Sequence, residues 1–223
     1  ACGIAGIIAG TITMTGLANV IINAIVVLAG DNVLIALFLT MICCIVLGMG
    51  VPTTATYCIM AATCAPILVR MGVPMVAAHF FVFYFGIVAD LTPPVALAAY
   101  AGSAIAQANP MKTALESTKL AIGAFIVPYA FALSPSMLLI DTTVPEVILI
   151  TVTSLVGIAS VSAAMEGYLF GRLSWFRRGL ALAGGLMMIY PGTVTDVIGL
   201  VLSGAVVALS ILDRKRQVAK MTA

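Results

Sequence analysis

Long apolar stretches, separated by short polar or glycine- and proline-containing segments, make up most of the chain. A helix that spans a bilayer needs about 20 apolar residues. The segments 1–29, 120–140 and 147–169 reach that length, although residues 13–16 are less apolar than the rest of the first segment. Pro128 predicts a kink in the second segment. The pattern predicts an all-α membrane protein with several spanning helices.

The segment 33–70 differs, because two short apolar runs flank an interruption rich in Gly, Pro and Thr. The runs cover residues 33–47 and 55–69, and the interruption GMGVPTT covers residues 48–54. At about 1.5 Å per residue, neither run crosses a bilayer comfortably by itself. The segment is therefore predicted to be a re-entrant hairpin, with Arg70 as its anchor at the membrane interface.

A second interruption lies in the segment 76–106. Two apolar runs, 76–89 and 95–106, flank the sequence DLTPP at residues 90–94. Prolines lack the N–H group that continues a helix, so the helix must break there. The freed carbonyl groups are tolerated at membrane depth only where they line protein or water. The segment is predicted to be one discontinuous helix with an unwound middle.

The remaining segments are more polar or too long for one span. Residues 107–119 are predicted to be a polar loop with a short amphipathic stretch, and residues 171–178 a basic loop. The apolar segment 179–212 would measure about 50 Å as one straight helix, which is too long. It is predicted to split at Pro191-Gly192, and the tail from Asp213 is basic and polar.

Basic residues indicate the orientation in the membrane, because cytoplasmic loops carry an excess of Lys and Arg. The segments 107–119 and 171–178 and the tail carry most of them, so all three are placed in the cytoplasm. Arg70 is the exception, and Trp175 is expected to anchor its loop at the interface. The last apolar element must then begin and end inside, either as a bent hairpin or as a surface helix followed by a dip.

Composition excludes several classes of protein. The chain is 63% hydrophobic and 8% charged, whereas soluble domains carry about 25% charged residues. A net charge of +2 gives no case for nucleic-acid binding. The five cysteines lie in apolar runs without a CxxC pair, and one histidine without an acidic cluster argues against an intramembrane enzyme. The chain is therefore not expected to be an enzyme or to hold a cofactor.

The two interruptions are the candidate site for a cation or a substrate. Unwound backbone at the midplane offers carbonyl oxygens to cations, and amino ends of half-helices attract anions. Hydroxyl oxygens of Thr53, Thr54 and Thr92 would suit sodium. The alternative is a pair of proline kinks in an ordinary helix bundle. The candidate residues are Gly48, Gly50, Pro52, Thr53, Thr54, Asp90, Thr92, Pro93 and Pro94.

Asp90 is the candidate that bears directly on the coupling cation. An acidic residue near the midplane is a functional candidate by default. Asp90 could bind a cation, carry a proton, or cap a half-helix. His79, the only histidine, and the tyrosines Tyr57, Tyr84 and Tyr100 lie near the interruptions. Packing is the simpler explanation for all four.

The motifs GMGVPTT and TPPVALAAYA are similar to those of the large membrane subunit of TRAP transporters, the tripartite ATP-independent periplasmic transporters. The segments AGIIAGTITMTGL, KLAIGAFIVPYAF and MEGYLFGRLSWFRRGLALAGGLMMIYPG resemble the fused-permease branch, which works with binding proteins of the TAXI type. In many relatives outside that branch an acidic residue precedes the hairpin threonines, where this chain has Pro52. The coupling cation is therefore left open between sodium and proton.

This resemblance implies an elevator-type secondary transporter in a bacterial inner membrane. A periplasmic binding protein would deliver a small organic acid, such as a dicarboxylate, keto acid or amino acid, and a cation gradient would drive uptake. The alternatives are a passive channel and, less favoured by the residues, an intramembrane enzyme. The family's fold contains two inverted repeats, each with a hairpin and a broken helix.

One such pair is visible in this sequence. Residues 1–140 are therefore expected to be the C-terminal repeat, and residues 141–223 the extra C-terminal region of the fused branch. The first repeat and the fused small-subunit region are expected N-terminal to Ala1.

Overall fold

The computed structural model of the protein describes residues 2–139, 142–190 and 192–221, and no β-strand occurs in this part of the chain. The chain divides into two compact units, Ala1–Leu138 and Leu139–Ala223. In the described residues, two helical segments, Val144–Glu166 and Thr193–Asp213, are long and apolar enough to span a membrane. A third span is present if the bent pair at the N-terminus is counted as one. The expectation of an all-α membrane protein is confirmed.

Unit 1 contains nine α-helices in its described residues. They are α1 (Cys2–Met14), α2 (Leu17–Ala29), α3 (Val33–Gly48), α4 (Thr53–Thr63), α5 (Ala65–Arg70), α6 (Met75–Val88), α7 (Leu97–Ile105), α8 (Pro110–Leu120) and α9 (Ile122–Leu133). Short 3-10 turns follow α6 at Ala89–Leu91 and α9 at Pro135–Leu138.

Two predicted single helices of unit 1 are interrupted or shorter than expected. The segment 1–29 forms α1 and α2, which meet at an angle of 63°, because Gly16 adopts a left-handed conformation with φ of 72°. The predicted helix 120–140 is wrong in length, since α9 ends at Leu133. Pro135 disfavours a helical conformation at Ser134. Pro128 lies inside α9 as expected.

The core of unit 1 is a cluster of aromatic side chains between α6 and α9. Phe81 and Phe85 are fully buried, and their ring centroids lie 4.8 Å apart. The ring of Tyr129 in α9 contacts that of Phe81 edge to face, with centroids 5.4 Å apart. Its hydroxyl donates a hydrogen bond to Met41 Sδ of α3. These contacts hold α3, the first arm of the hairpin, and α6, the first half of the discontinuous helix, against α9.

The described residues of unit 2 form three helices, α10 (Val144–Glu166), α11 (Trp175–Ile189) and α12 (Thr193–Met221). Glycines allow them to pack closely: a methyl group on Gly157 would lie 2.8 Å from the Gly185 carbonyl oxygen, and one on Gly184 would lie 3.0 Å from the Gly199 carbonyl oxygen. Small residues at such crossings let helix backbones approach each other in membranes. α10 therefore packs on α11, and α11 on α12, along their lengths.

The last apolar segment forms a helical hairpin, which is the first of the two predicted alternatives. Side chains at the start of α11 bond to the end of α10 and to the end of the apolar part of α12, so neighbouring helices are antiparallel. The predicted split falls between α11 and α12, although Pro191 itself lies outside the described residues. Two boundaries were wrong. α11 already begins at Trp175 within the predicted basic loop, and α12 continues through the predicted polar tail to Met221.

Candidate functional site

The tip of the hairpin is a tight turn between α3 and α4. α3 ends at Gly48, Gly50 adopts φ of 71°, and α4 begins at Thr53 directly after Pro52. A positive φ favours glycine, which has no Cβ. The first turn of α4 is secured by Thr56, whose hydroxyl donates to the carbonyl oxygen of Val51 at 3.0 Å.

Both arms of the predicted hairpin are present, since α3 contacts α4 and α5 after the chain reverses. The second arm is divided into α4 and α5 at Cys64. Arg70, expected as an interfacial anchor, donates a hydrogen bond to Asn23 Oδ1 of α2 at 3.0 Å. The end of the hairpin is thus fixed to α2.

The predicted break between α6 and α7 is also present. A 3-10 turn, Ala89–Leu91, leads into extended backbone at Thr92, and Ala96 has a left-handed conformation just before α7. The Thr92 hydroxyl donates to the carbonyl oxygen of Val88 at 2.8 Å. A threonine hydroxyl that donates its proton in this way keeps two oxygen lone pairs for other partners.

The hairpin tip and the break contact each other. A methyl group on Gly48 would lie 2.9 Å from Ala89 Cβ, and one on Gly50 would lie 3.7 Å from Val95 Cγ1. One turn before the break, a methyl group on Gly86 would lie 3.1 Å from the methyl group of Thr56. The close approach requires glycine at position 48, because Ala89 cannot move its Cβ away without moving its backbone.

The nine predicted residues differ in exposure around this contact. Asp90, Thr92 and Pro93 are half-buried, whereas Thr53 and Thr54 in the first turn of α4 are exposed. Gly48 is buried, while Gly50, Pro52 and Pro94 are exposed. Among the described residues, the Asp90 carboxylate has no hydrogen-bond or ion-pair partner, so it does not cap either adjoining helix.

Three hydroxyl groups that donate to backbone carbonyls at the hairpin tip and the break were not among the nine candidates. Thr56 is buried in α4, and Thr118 of α8 donates to the carbonyl oxygen of Leu91 at 3.1 Å. Tyr100 of α7, noted in the sequence for its position near the break, donates to the carbonyl oxygen of Pro94. Hydroxyl groups therefore cover carbonyls that the two breaks release. No local sequence feature predicts the role of Thr118, because it reaches the break only through tertiary packing.

A polar contact also joins the hairpin to the discontinuous helix. The Tyr57 hydroxyl of α4 lies 3.1 Å from His79 Nδ1 of α6, and the Tyr57 ring contacts Phe83 edge to face. With Phe80 they line a groove of about 270 Å³. His79 is thus part of the packing between the two elements. Tyr84 is half-buried in α6.

Among the described residues, no group of three His, Cys, Asp or Glu side chains is arranged to hold a metal ion. The oxygen atoms at the hairpin tip and the break are neutral hydroxyls and carbonyls, with Asp90 as the one carboxylate in these two segments. Such a set is suited to a hard cation of low charge, since hard cations prefer oxygen ligands.

Comparison with protein families gives a match to a transporter family. The family described as tripartite ATP-independent periplasmic transporter, DctM component, matches residues 1–147. The chain belongs to this family. The match spans the whole of unit 1 and the start of α10, so the hairpin and the discontinuous helix lie within it. No curated protein and no solved structure gave a significant match.

Membership in the DctM component family makes the chain part of a secondary transporter. The large component of such transporters works with a periplasmic binding protein and a small membrane component. The hairpin tip and the break between α6 and α7 are interruptions of a kind typical of secondary transporters. Such transporters place their binding sites at broken helices near the bilayer midplane. Residues 148–223, which include most of unit 2, lie outside the matched region.

Proposed function

We propose that the hairpin tip and the break form one wall of a cation site in a transporter that takes up a small organic acid. The observation that carries the proposal is the contact of Gly48 with Ala89 and of Gly50 with Val95. Two interrupted backbones that meet within apolar segments would be unfavourable in lipid unless their polar groups faced protein, water or a bound ion.

The ligands proposed for the cation are oxygen atoms on both sides of this contact. Thr92 presents a hydroxyl whose proton is already donated to Val88, so its lone pairs are free to face a cation. Thr53 and Thr54 lie in the first turn of α4, with hydroxyls that have no partner among the described residues. Sodium coordinated by these three threonines is the first model, and a proton carried by Asp90 is the second.

The positions of the amino ends of α4 and α7 are the reason for proposing an acidic substrate. α4 begins at Thr53 and α7 at Leu97, each within three residues of the Gly50–Val95 contact. The amino end of a helix carries a partial positive charge that favours anions. A carboxylate group of a dicarboxylate, keto acid or amino acid fits this environment.

The organisation of the whole transporter follows from the resemblance to the fused-permease branch. We place a TAXI-type periplasmic binding protein as the donor of substrate, and a further repeat with the small-subunit region as the other wall of the site. We also assign residues 1–140 to the repeat and residues 141–223 to the extra region of that branch. The chain by itself is then expected to show no coupled uptake.

The experiment uses the full permease reconstituted in liposomes with its binding protein. A sodium gradient alone and a proton gradient alone are imposed in separate samples, and uptake of radiolabelled organic acids is measured. One of the two gradients is expected to drive uptake. Uptake that neither gradient changes would contradict the proposal and would favour a passive channel.

A further inference from the structure

We infer that the end of unit 2 at which α11 begins binds anionic phospholipid, through its basic residues and three exposed aromatic side chains. This inference is independent of the proposed cation site, since it concerns residues outside the matched family region. It rests on three observations: the meeting of two helix termini with the end of the apolar part of α12, the positive charge at that end, and the exposed aromatic residues.

The last turn of α10, the first turn of α11 and the end of the apolar part of α12 meet at this end of unit 2. Arg178 in the first turn of α11 donates to the carbonyl oxygens of Ala164 and Met165 at 2.7 and 2.8 Å, so it covers the last turn of α10. Arg177 forms an ion pair with Asp213, where the apolar part of α12 ends. The apolar segments of α10 and α12 thus end at the same level, which marks the boundary between hydrocarbon and water.

Charge is concentrated at this end. Seven of the ten Lys and Arg residues of the chain lie here, against the two acidic residues Glu166 and Asp213. In the part of unit 2 where α10 and α12 begin, the sequence has Asp141, Glu146 and Asp196 and no Lys or Arg. The seven basic residues are Arg172, Arg177, Arg178, Arg214, Lys215, Arg216 and Lys220.

Arg172 is the basic side chain of the loop that remains available. Arg177 and Arg178 have the partners described above, and Arg178 also stacks on the ring of Trp175 at 4.6 Å. Arg172 is exposed and has no hydrogen-bond or ion-pair partner among the described residues. The remaining four basic residues follow Asp213 within two helical turns of α12. Clusters of four or more basic residues directly beyond a spanning helix are typical of anionic-lipid binding.

Three exposed aromatic side chains lie within four residues of Arg172 in the sequence. Trp175 is 84% exposed, Phe176 76% and Tyr168 59%. Large aromatic residues at this level favour the headgroup region of a bilayer, where one side of the ring meets hydrocarbon and the other meets water. Backbone bridging between Tyr168 and Arg172 keeps the loop tight. An anionic phospholipid satisfies both features, because its phosphate would pair with the basic residues and its glycerol and upper chains would contact the rings.

Trp175 is the only tryptophan of the chain, so its fluorescence reports directly on this surface. The chain is reconstituted in bilayers that mix phosphatidylglycerol and phosphatidylcholine, with bromine on the acyl chains of one lipid at a time. Bromine quenches tryptophan emission on contact. Stronger quenching by brominated phosphatidylglycerol than by brominated phosphatidylcholine, at equal content, is expected.

Substitutions identify the residues that cause the preference for phosphatidylglycerol. Arg172→Gln should reduce the preference for phosphatidylglycerol by about fivefold, which is the effect of about 1 kcal/mol for one basic residue at a membrane surface. Replacement of the four basic residues after Asp213 by Gln should reduce it further. Lys112→Gln is the matched control, because Lys112 is an exposed cation of α8 in unit 1, and it should leave the preference unchanged.

Three results would overturn the inference. The first is equal quenching by both brominated lipids in the unmodified chain, and the second is a preference that Arg172→Gln does not reduce. The third concerns soluble phosphate. If millimolar inorganic phosphate at constant ionic strength abolished the preference, the basic residues would form a site for a soluble anion and not for phospholipid.

Discussion

Gly48 of the hairpin lies against Ala89 of the break so closely that a methyl group on Gly48 would be 2.9 Å from Ala89 Cβ. The hairpin tip and the break therefore form one packed structure. A side chain at position 48 would therefore disturb the contact.

Gly48→Ala is expected to weaken the contact by about 1–3 kcal/mol, as overpacking does in well-packed interiors. Uptake should fall, and thermal unfolding in detergent should occur at lower temperature. Gly102→Ala is the matched control, because Gly102 is a helical glycine of α7 with nothing within 4 Å of an added methyl group. In a helix this control should be neutral or slightly stabilising. Equal behaviour of the two variants would show that the contact is unimportant.

Thr92→Val keeps the shape of the side chain and removes its hydroxyl. The loss of one ligand, at about 1 kcal/mol, should raise the cation concentration for half-maximal uptake about fivefold. Affinity for the binding protein should not change. Thr113→Val serves as control, because the Thr113 hydroxyl also donates to a carbonyl four residues earlier but lies in α8.

The same titration on Thr53→Val and Thr54→Val tests the other side of the site. If all three variants at Thr53, Thr54 and Thr92 kept the normal cation dependence, side-chain oxygens would not be ligands. Backbone carbonyls would then have to bind the cation alone.

Asp90→Asn is expected to change the cation dependence of uptake, because the structure shows no helix cap for this carboxylate to provide. Loss of proton-driven uptake with retained sodium-driven uptake would identify Asp90 as a proton carrier. A higher sodium requirement would identify it as a sodium ligand. Asp31→Asn, an exposed carboxylate just before α3, is the control. If both variants behaved as the unmodified protein, Asp90 would have no role in coupling.

Gly157→Ala should destabilise unit 2, because the added methyl group would lie 2.8 Å from a backbone oxygen of Gly185 that cannot rotate away. A loss of about 1–3 kcal/mol is expected. Gly204→Ala in α12 has open space around the new methyl group and should not destabilise the protein. Unfolding of both variants by heat in detergent distinguishes them, and equal melting temperatures would contradict the close packing of α10 on α11.

Local chemistry explains which parts of the fold were predictable. Gly50 and Pro52 indicate the hairpin tip, and Pro93 with Pro94 indicates the break, because the backbone constraints of glycine and proline act within a few residues. Ser134-Pro135 likewise indicates the end of α9, but the continuous apolar pattern favoured a longer helix. The bend between α1 and α2 was indicated by the less apolar residues before Gly16, although apolarity alone suggested one span.

The long-range part of the site was not predictable in the same way. Thr118 is 27 residues from Leu91 in sequence, and Tyr57 is 22 residues from His79, so neither contact follows from spacing. Helical continuation through Met221 was also missed, because a basic, polar segment resembles a loop by composition alone.

The most direct test of the account measures substrate accumulation by the full permease in liposomes with its binding protein. The inside concentration of a labelled organic acid is followed to steady state under an imposed cation gradient, and an ionophore then collapses the gradient. Coupled transport predicts an inside concentration above the outside one, and efflux after the ionophore is added. A steady state that never exceeds the outside concentration, and that the ionophore leaves unchanged, would contradict coupled transport.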